Sequence, residues 1–423
     1  MPGDDGLKSL ARTIARLEEL LERLPLDVAK DLRLRVATLR TVLLDKRPPA
    51  LVLVGRRGAG KSSLVNALLG AHVAELGHVT AQTGRGRWYT FERGGAAVRV
   101  LDTRGLQEGS APAEADGAES ALQSIAVEIR AQAPDVIVFV AKASEVDAAV
   151  DADLDALETV ATEIRRAHRL EPPILAVVTH CDLLEPKATK LHEPKSEREE
   201  DLDEKKRHVT LAEHALARKI EARDRLRERH VATVGVSAYM SWRTDGSLRA
   251  DERWHIEDLA SKLFDHLPDA GRAELARATQ ARAVQEELAK RLTSATAALC
   301  AGVAALTFIP LDVVTLTALQ VGMVAGIAWI GGRNLDRKDA SEFMGGLGLQ
   351  VGAAVGMRQV ARSIIKFLLP AGGAVVSAAV AFAGTSAIGS AATAYYIRGV
   401  SLSDARRIFR RRKDDEGEGG GKS

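Results

Sequence analysis

The sequence predicts an α/β fold: a three-layer domain on a mostly parallel sheet, with N-terminal helices before it and an all-α apolar C-terminal domain after it. Three observations carry this. Short apolar runs at 50–54, 98–101, 136–140, 174–178 and 231–236 are mostly separated by longer helical patterns, the rhythm of a doubly wound sheet. The loop after the first run is rich in glycine and leads straight into a helical pattern. Beyond Ser294 the chain sheds its charges and fills with Ala and Gly, so its architecture changes near there.

In chain order, Leu10, Ile14, Leu17, Leu20 and Leu21, then Val28, Leu32, Val36, Leu39 and Leu43, recur at helical spacing around Pro25. Two amphipathic helices are expected in 1–47, packed on the domain that follows. Pro48 and Pro49 stop the second helix and introduce the run 50–54, apolar throughout as a strand buried on both faces must be. The segment 183–230 mixes Lys, Arg, Glu and Asp with few apolar positions, which predicts an exposed helical insertion with a solvated face. Ile256, Leu259 and Leu263 mark the last helix of the α/β domain, expected over 48–268, and 270–292 a linking amphipathic helix. The apolar helical domain is expected over 269–408 and a disordered tail over 409–423. No internal repeat of fixed period is visible.

At 423 residues the chain can bury two or three cores. Lys plus Arg (59) nearly balances Asp plus Glu (57), so no whole-protein field attracts nucleic acid and any electrostatic preference is local. Cys181 and Cys300 form no CxxC pair or framework, which favours a reducing, cytosolic setting. The N-terminus has charges among its apolar residues and does not read as a secretory signal.

The residues Gly55-Arg56-Arg57-Gly58-Ala59-Gly60-Lys61-Ser62 match G-x-x-x-x-G-K-[ST] between a strand and the helical run that begins at Ser63. Gly55, Gly58, Ala59 and Gly60 let backbone N–H groups wrap a phosphate chain. Lys61 neutralises its β and γ phosphates, and Ser62 ligates Mg2+. Such a loop serves adenine and guanine nucleotides alike, so later stations choose the base. Asp102-Thr103-Arg104-Gly105 ends a strand, where the carboxylate holds Mg2+ through water and the Gly105 N–H meets the γ-phosphate. Thr179-His180-Cys181-Asp182 ends another, with a carboxylate to accept the two N–H donors of a guanine edge. Ser237-Ala238 ends the last and offers backbone N–H to the guanine carbonyl oxygen. All fall at carboxyl ends of parallel strands, where such sheets bind ligands. GTP/GDP and Mg2+ are the expected ligands, and Asp182 with Ser237-Ala238 disfavours an ATPase.

On these motifs residues 48–268 resemble the Era and TrmE-like branch of translation-factor-class GTPases, with the three-layer P-loop NTPase fold of a Ras-like G domain. The run GKSSLVNALLG is also similar to immunity-related and dynamin-like GTPases. The resemblance implies that Thr83, or its neighbour Thr80, is the switch threonine that closes on Mg2+. It also exposes departures. His180 stands where the family carries Lys, which implies a looser guanine site. As half of a His-Cys pair it has no second pair at ligand spacing, as a metal site needs. Arg104 replaces the usual Pro, and Arg57 lies inside the phosphate loop. Either is an internal arginine finger, or pairs with acidic neighbours or solvent. Leu106 occupies the place of the water-orienting Gln, and Gly58 that of the potassium-binding Asn. Slow intrinsic hydrolysis is the expectation, completed by self-association or by a protein activator.

The stretch 295–331 is nearly uncharged apart from Asp312 after Pro310, two apolar helices around a bend with Asp312 as N-cap. A second apolar stretch, 367–396, is interrupted by Pro370, Gly372-Gly373 and Gly384. Residues 280–400 resemble the YcjF-type helical domain associated with GTPases, a family with bacterial inner-membrane members. Arg333, Arg337 and Lys338 follow the first stretch, Arg358, Arg362 and Lys366 precede the second, and Arg398, Arg406, Arg407 and 410–413 follow it. Keeping these charges on the cytosolic side requires each stretch to return to its own face. Two full crossings take about 40 residues, which neither stretch has. Shallow insertion at an anionic membrane surface, or a self-packed bundle, fits instead, with the basic end suited to anionic lipid. The expected activity is GTP hydrolysis controlling assembly or conformation of the C-terminal helices at a bacterial inner membrane. A soluble GTP-gated switch and an Era-like ribosome-assembly GTPase are the alternatives. The second needs a basic RNA-binding module where the apolar stretch lies, so neither DNA nor RNA is expected as a partner.

Overall fold

The computed structural model describes residues 4–23, 26–73, 87–103, 121–147, 150–193, 199–305, 313–334, 337–347 and 374–418. The chain divides into two units, 48–281 and a second made of 1–47 with 282–423.

The first unit is built on a six-stranded sheet of order β2-β3-β1-β4-β5-β6. Its strands are β1 Ala50–Val54, β2 Arg87–Arg93, β3 Ala96–Asp102, β4 Val136–Lys142, β5 Ile174–Thr179 and β6 His230–Gly235. Only β2 runs antiparallel, as a hairpin arm on β3. β1 is buried along its whole length, as its unbroken apolar run requires. One face carries Val52, Val54, Leu101, Ile137, Phe139, Ala176 and Val178 into a core closed by α4 Ala121–Ala131, α5 Asp151–His168 and α6 Glu199–Glu221. The other lies under α3 Lys61–Leu69, α8 Ile256–His266 and α9 Asp269–Thr279. This is the three-layer, mostly parallel α/β arrangement expected. A short helix α7, Asp224–Arg227, precedes β6, and a small hairpin, β7 Met240–Trp242 with β8 Leu248–Asp251, follows it.

Two readings are corrected in this unit. The charged segment is no exposed insertion: Leu202, Lys205, Val209, Leu216 and Ile220 of α6 form a buried stripe against β5 and β6. Its apolar positions are few but at helical spacing, so the helix is the ordinary crossover between two parallel strands. The α/β unit also runs beyond 268. The expected linking helix is broken at Gln280, left-handed at φ 52°, and α9 belongs to the sheet. Glu274 of α9 accepts the Ala97 N–H (2.9 Å) and Arg277 donates to the Gly94 carbonyl (2.5 Å), capping the β2–β3 hairpin. Strand β2, RWYTFER, escaped the sequence reading because its pairing with β3, more than its own apolarity, holds it.

The second unit is helical: α1 Asp4–Glu22, α2 Leu26–Leu43, α10 Arg282–Ala305, α11 Val313–Ile330, α12 Arg337–Gly346, α13 Ala374–Tyr396 and α14 Leu402–Glu418. The N-terminal helices pair with the C-terminal ones of the same unit, α1 on α11 and α2 on α10. Glycines set the close approaches. A Cβ at Gly302 would lie 2.3 Å from Leu32, and one at Gly326 2.6 Å from Leu43. Helix α13 passes through Gly384 without a break, and α14 continues to Glu418, past the 409 where a disordered tail was expected. Pro310, Asp312, Pro370 and Gly372-Gly373 fall outside the described residues. Among the described residues no helix is long and apolar enough to cross a membrane.

Candidate functional site

Register brings the motifs to one edge. Leu53 of β1 is level with Asp102 of β3, Val54 with Phe139 of β4, and Lys142 of β4 with Thr179 of β5. Val178 is level with Gly235 of β6, two residues before Ser237. Because all five strands are parallel, their carboxyl ends, and the loops that follow, share that edge.

The phosphate loop is shaped by its glycines. Gly55 (φ 151°) presses on β4 so closely that a Cβ there would meet the Val140 carbonyl oxygen at 2.2 Å. Gly58 (φ 78°) and Gly60 (φ 88°) hold left-handed geometry that side chains resist. Gly60 caps α3 with no side-chain bond, so the start of that helix, at Lys61, Ser62 and Ser63, is a helix N-terminus of the kind that can receive an anion. Lys61 is buried, and its Nζ donates to the carbonyls of Gly55 (2.5 Å) and Arg56 (3.0 Å), folding the ammonium over the loop. Arg57 is exposed. These features fit a polyphosphate: a loop of glycine backbone, the N-terminus of a helix and one ammonium. Ser62 at the start of α3 and buried Asp102 at the end of β3 are the residues here that would hold its Mg2+. Thr80, Thr83, Arg104, Gly105 and Leu106 lie outside the described residues.

On the base side, Thr179 Oγ1 donates to the Ala59 carbonyl (2.7 Å) and, more weakly, to that of Ala141 (3.3 Å), joining β5 to the phosphate loop. His180 is left-handed (φ 57°), the bend that turns the chain into the 3-10 turn Cys181–Leu183. Its Nδ1 lies 2.9 Å from Thr179 Oγ1. Burial lowers the His180 pKa more than neighbouring Asp182 raises it, and Lys142 adds to the depression, so the ring is neutral at neutral pH. Burial pushes the Cys181 thiol up to about 12. Among the described residues no group of three or more His, Cys, Asp or Glu is gathered for a metal.

The Cys181 N–H donates to the Val236 carbonyl (3.3 Å) and the Val236 N–H to that of Val178 (2.8 Å), lacing the Asp182 turn to the end of β6. One station is refined. The Ser237 N–H is already taken by the Trp254 carbonyl (3.2 Å), which leaves the Ala238 N–H, making no hydrogen bond among the described residues, as the donor toward a base. Ser237 Oγ is buried with no partner among the described residues.

Four charged residues missed from sequence border the loop. Arg56 donates to Asp153 Oδ2 (2.8 Å) and lies 3.7 Å from Glu145, which pairs with Lys142 (3.3 Å). Burial raises the Asp153 pKa, against the pull of Arg56. The Lys142 ammonium comes within 3.6 Å of where a Gly58 Cβ would be. Lys142 was findable, since it ends a parallel strand. Arg56 and Glu145 meet when the loop packs beside β4, and Asp153 joins them when α5 docks.

A glycine phosphate loop, a carboxylate at the next strand end and a carboxylate–backbone pair at the last two strand ends define a P-loop GTPase domain. Residues 50–180 match the family of 50S ribosome-binding GTPases. The chain is 31% identical over 136 residues to the tRNA modification GTPase MnmE of Paracidovorax citrulli, covering 32% of this chain and 26% of that one. It is 35% identical over 160 residues to the small ribosomal subunit biogenesis GTPase RsgA of Xanthomonas oryzae pv. oryzae, covering 36% and 43%. The chain thus spans less than half the length of these curated relatives. Among solved structures, the bacterial dynamin GTPase LeoA from ETEC aligns over 100% of this chain and 77% of its own at 14% identity, TM-score 0.38. Era in complex with MgGDPNP and a 16S ribosomal RNA fragment aligns over 60% and 68% at 18% identity, TM-score 0.31.

Proposed function

We propose that the chain binds GTP with Mg2+ at this site and hydrolyses it to GDP and phosphate, slowly unless activated, and that nucleotide state governs the assembly or conformation of the helical unit. The carrying observation is the convergence on one sheet edge of the glycine loop with Lys61, of Asp102, and of the Asp182 turn laced to the end of β6 before Ser237-Ala238. The loop and α3 receive the phosphates, Lys61 moves from its own loop carbonyls to the β and γ oxygens, and Asp182 accepts from the guanine edge. Bound Mg2+ supplies charge neutralisation at the γ-phosphate, held by Ser62, by Asp102 through water and, on the family resemblance, by Thr83. Self-association or a protein activator completes a site in which Leu106 stands for the usual Gln.

The helical unit is proposed to rest on the anionic face of a bacterial inner membrane without crossing it. Exposed Arg406, Arg407 and Arg410 on α14 support this reading. A second reading, a GTP-gated switch with a self-packed bundle, is favoured by the hydrogen bond between Gln320 and Thr385 (2.9 Å), both fully buried between α11 and α13. GTP turnover by the full chain over a concentration series, with and without anionic liposomes that are then sedimented, tests both. Stimulation with co-sedimentation supports the membrane reading. Tight binding without either supports the switch. Lys61→Ala should abolish binding, and retained GTP affinity in that variant refutes the site.

A further inference from the structure

The turn that carries the Asp182 carboxylate is held from behind by the helix whose charges look solvated in the sequence. Lys205 of α6 is fully buried, and its Nζ donates to the carbonyls of Asp182 (2.6 Å), Thr189 (2.7 Å) and Pro186 (3.3 Å). Three ammonium protons meet three carbonyl acceptors, so the lysine's hydrogen-bonding capacity is filled. Desolvating an ammonium is costly, and an apolar side chain at 205 would extend the stripe of Leu202 and Val209 at no such cost. What lysine adds is a fixed course for the chain from Asp182 to Thr189.

The same helix secures the rest of the base pocket. His208 Nδ1 lies 2.8 Å from the Glu185 carbonyl, and Glu213 Oε1 accepts the Gly235 N–H (2.5 Å) at the end of β6, just before Ser237-Ala238. Both halves of the base site, Asp182 and the Ala238 N–H, therefore hang from α6. Among the described residues, the hydrogen bonds of the Lys205 ammonium to the candidate site go to the Asp182 backbone.

We propose that Lys205 is a positioning residue that sets guanine specificity by fixing the Asp182 carboxylate. This rests on the reading of Asp182 as the guanine acceptor. The test is the affinity of the full chain for GDP and for IDP, each with Mg2+. IDP keeps the phosphates, ribose and ring N–H and lacks the exocyclic amine that the carboxylate also accepts. In Lys205→Met, GDP binding should weaken about tenfold while IDP binding changes far less, bringing the ratio of the two toward one. In an Asp182→Ala background the same change should have no further effect on GDP. Equal weakening of both nucleotides, or an unchanged ratio, overturns the proposal. If the unaltered chain binds GDP no better than IDP, the reading of Asp182 falls instead, and Lys205 loses its role with it. Should Lys205→Met fail to fold, Lys205→Gln carries the same comparison.

Discussion

Thr179 Oγ1 donates a 2.7 Å hydrogen bond to the carbonyl of Ala59, a residue 120 positions earlier in the chain. Both groups are buried, so neither has water as an alternative partner. The contact couples the strand that ends in the proposed base-recognition turn to the proposed phosphate loop. The two halves of the nucleotide site are thereby held in one rigid frame.

Thr179→Val keeps the shape of the side chain and removes that donor. The buried Ala59 carbonyl is then left unsatisfied, which costs about 1–3 kcal/mol. Urea unfolding should show the loss as a lowered midpoint at unchanged slope, and GTP affinity should fall with it. An unaltered midpoint would mean that the loop and β5 are not coupled through this bond.

His180 supplies a pH dependence whose sign is set by its burial. Its folded pKa lies below the ordinary histidine value of 6.5, so the unfolded chain takes up the proton first. The stability that goes with a neutral His180 is present above 6.5 and is lost as pH falls through the folded value. A charged ring beside Asp182 would also compete with guanine for the carboxylate. Unfolding midpoints and GDP affinity between about pH 5 and pH 8 should both decline toward acid, and His180→Gln should flatten that slope. A slope that survives the substitution assigns it to another group.

In the helical unit α10 and α13 approach closely, and a Cβ at Gly389 would sit 2.3 Å from Thr293 Oγ1 and Cγ2. Gly389→Val forces these helices apart and should cost about 1–3 kcal/mol, the usual range for overpacking. Calorimetry should record a lowered transition while GTP binding by the α/β unit persists. A transition at the original temperature would show that α13 can shift at no cost.

Much of the site was legible because its chemistry is local in sequence. The loop Gly55–Lys61, the strand-end Asp102, the Thr179-to-Asp182 turn and Ser237-Ala238 each declare themselves within a few residues, since backbone geometry and ligand contact are set by neighbours along the chain. The parallel strands were legible for a similar reason. A strand buried on both faces must be apolar at every position, and 50–54, 136–140 and 174–178 are.

What resisted reading depends on partners distant in sequence. β2 is a strand because β3 pairs with it, and α1 with α2 found their partners among helices beyond residue 281. Arg56, Lys142, Glu145 and Asp153 become one charged border only after α5 docks. Lys205 is the sharpest case. In the sequence it is one cation among many in a charged run, yet in the fold it is dry and bonded to three carbonyls. The sequence by itself determined the class of fold, the glycine loop and the strand-end residues proposed to meet a guanine nucleotide, because each rests on local spacing and period. Only the tertiary structure decided which charges are buried, which helices share a core and what holds Asp182 in place, because desolvation and packing are properties of surroundings that a linear pattern does not contain.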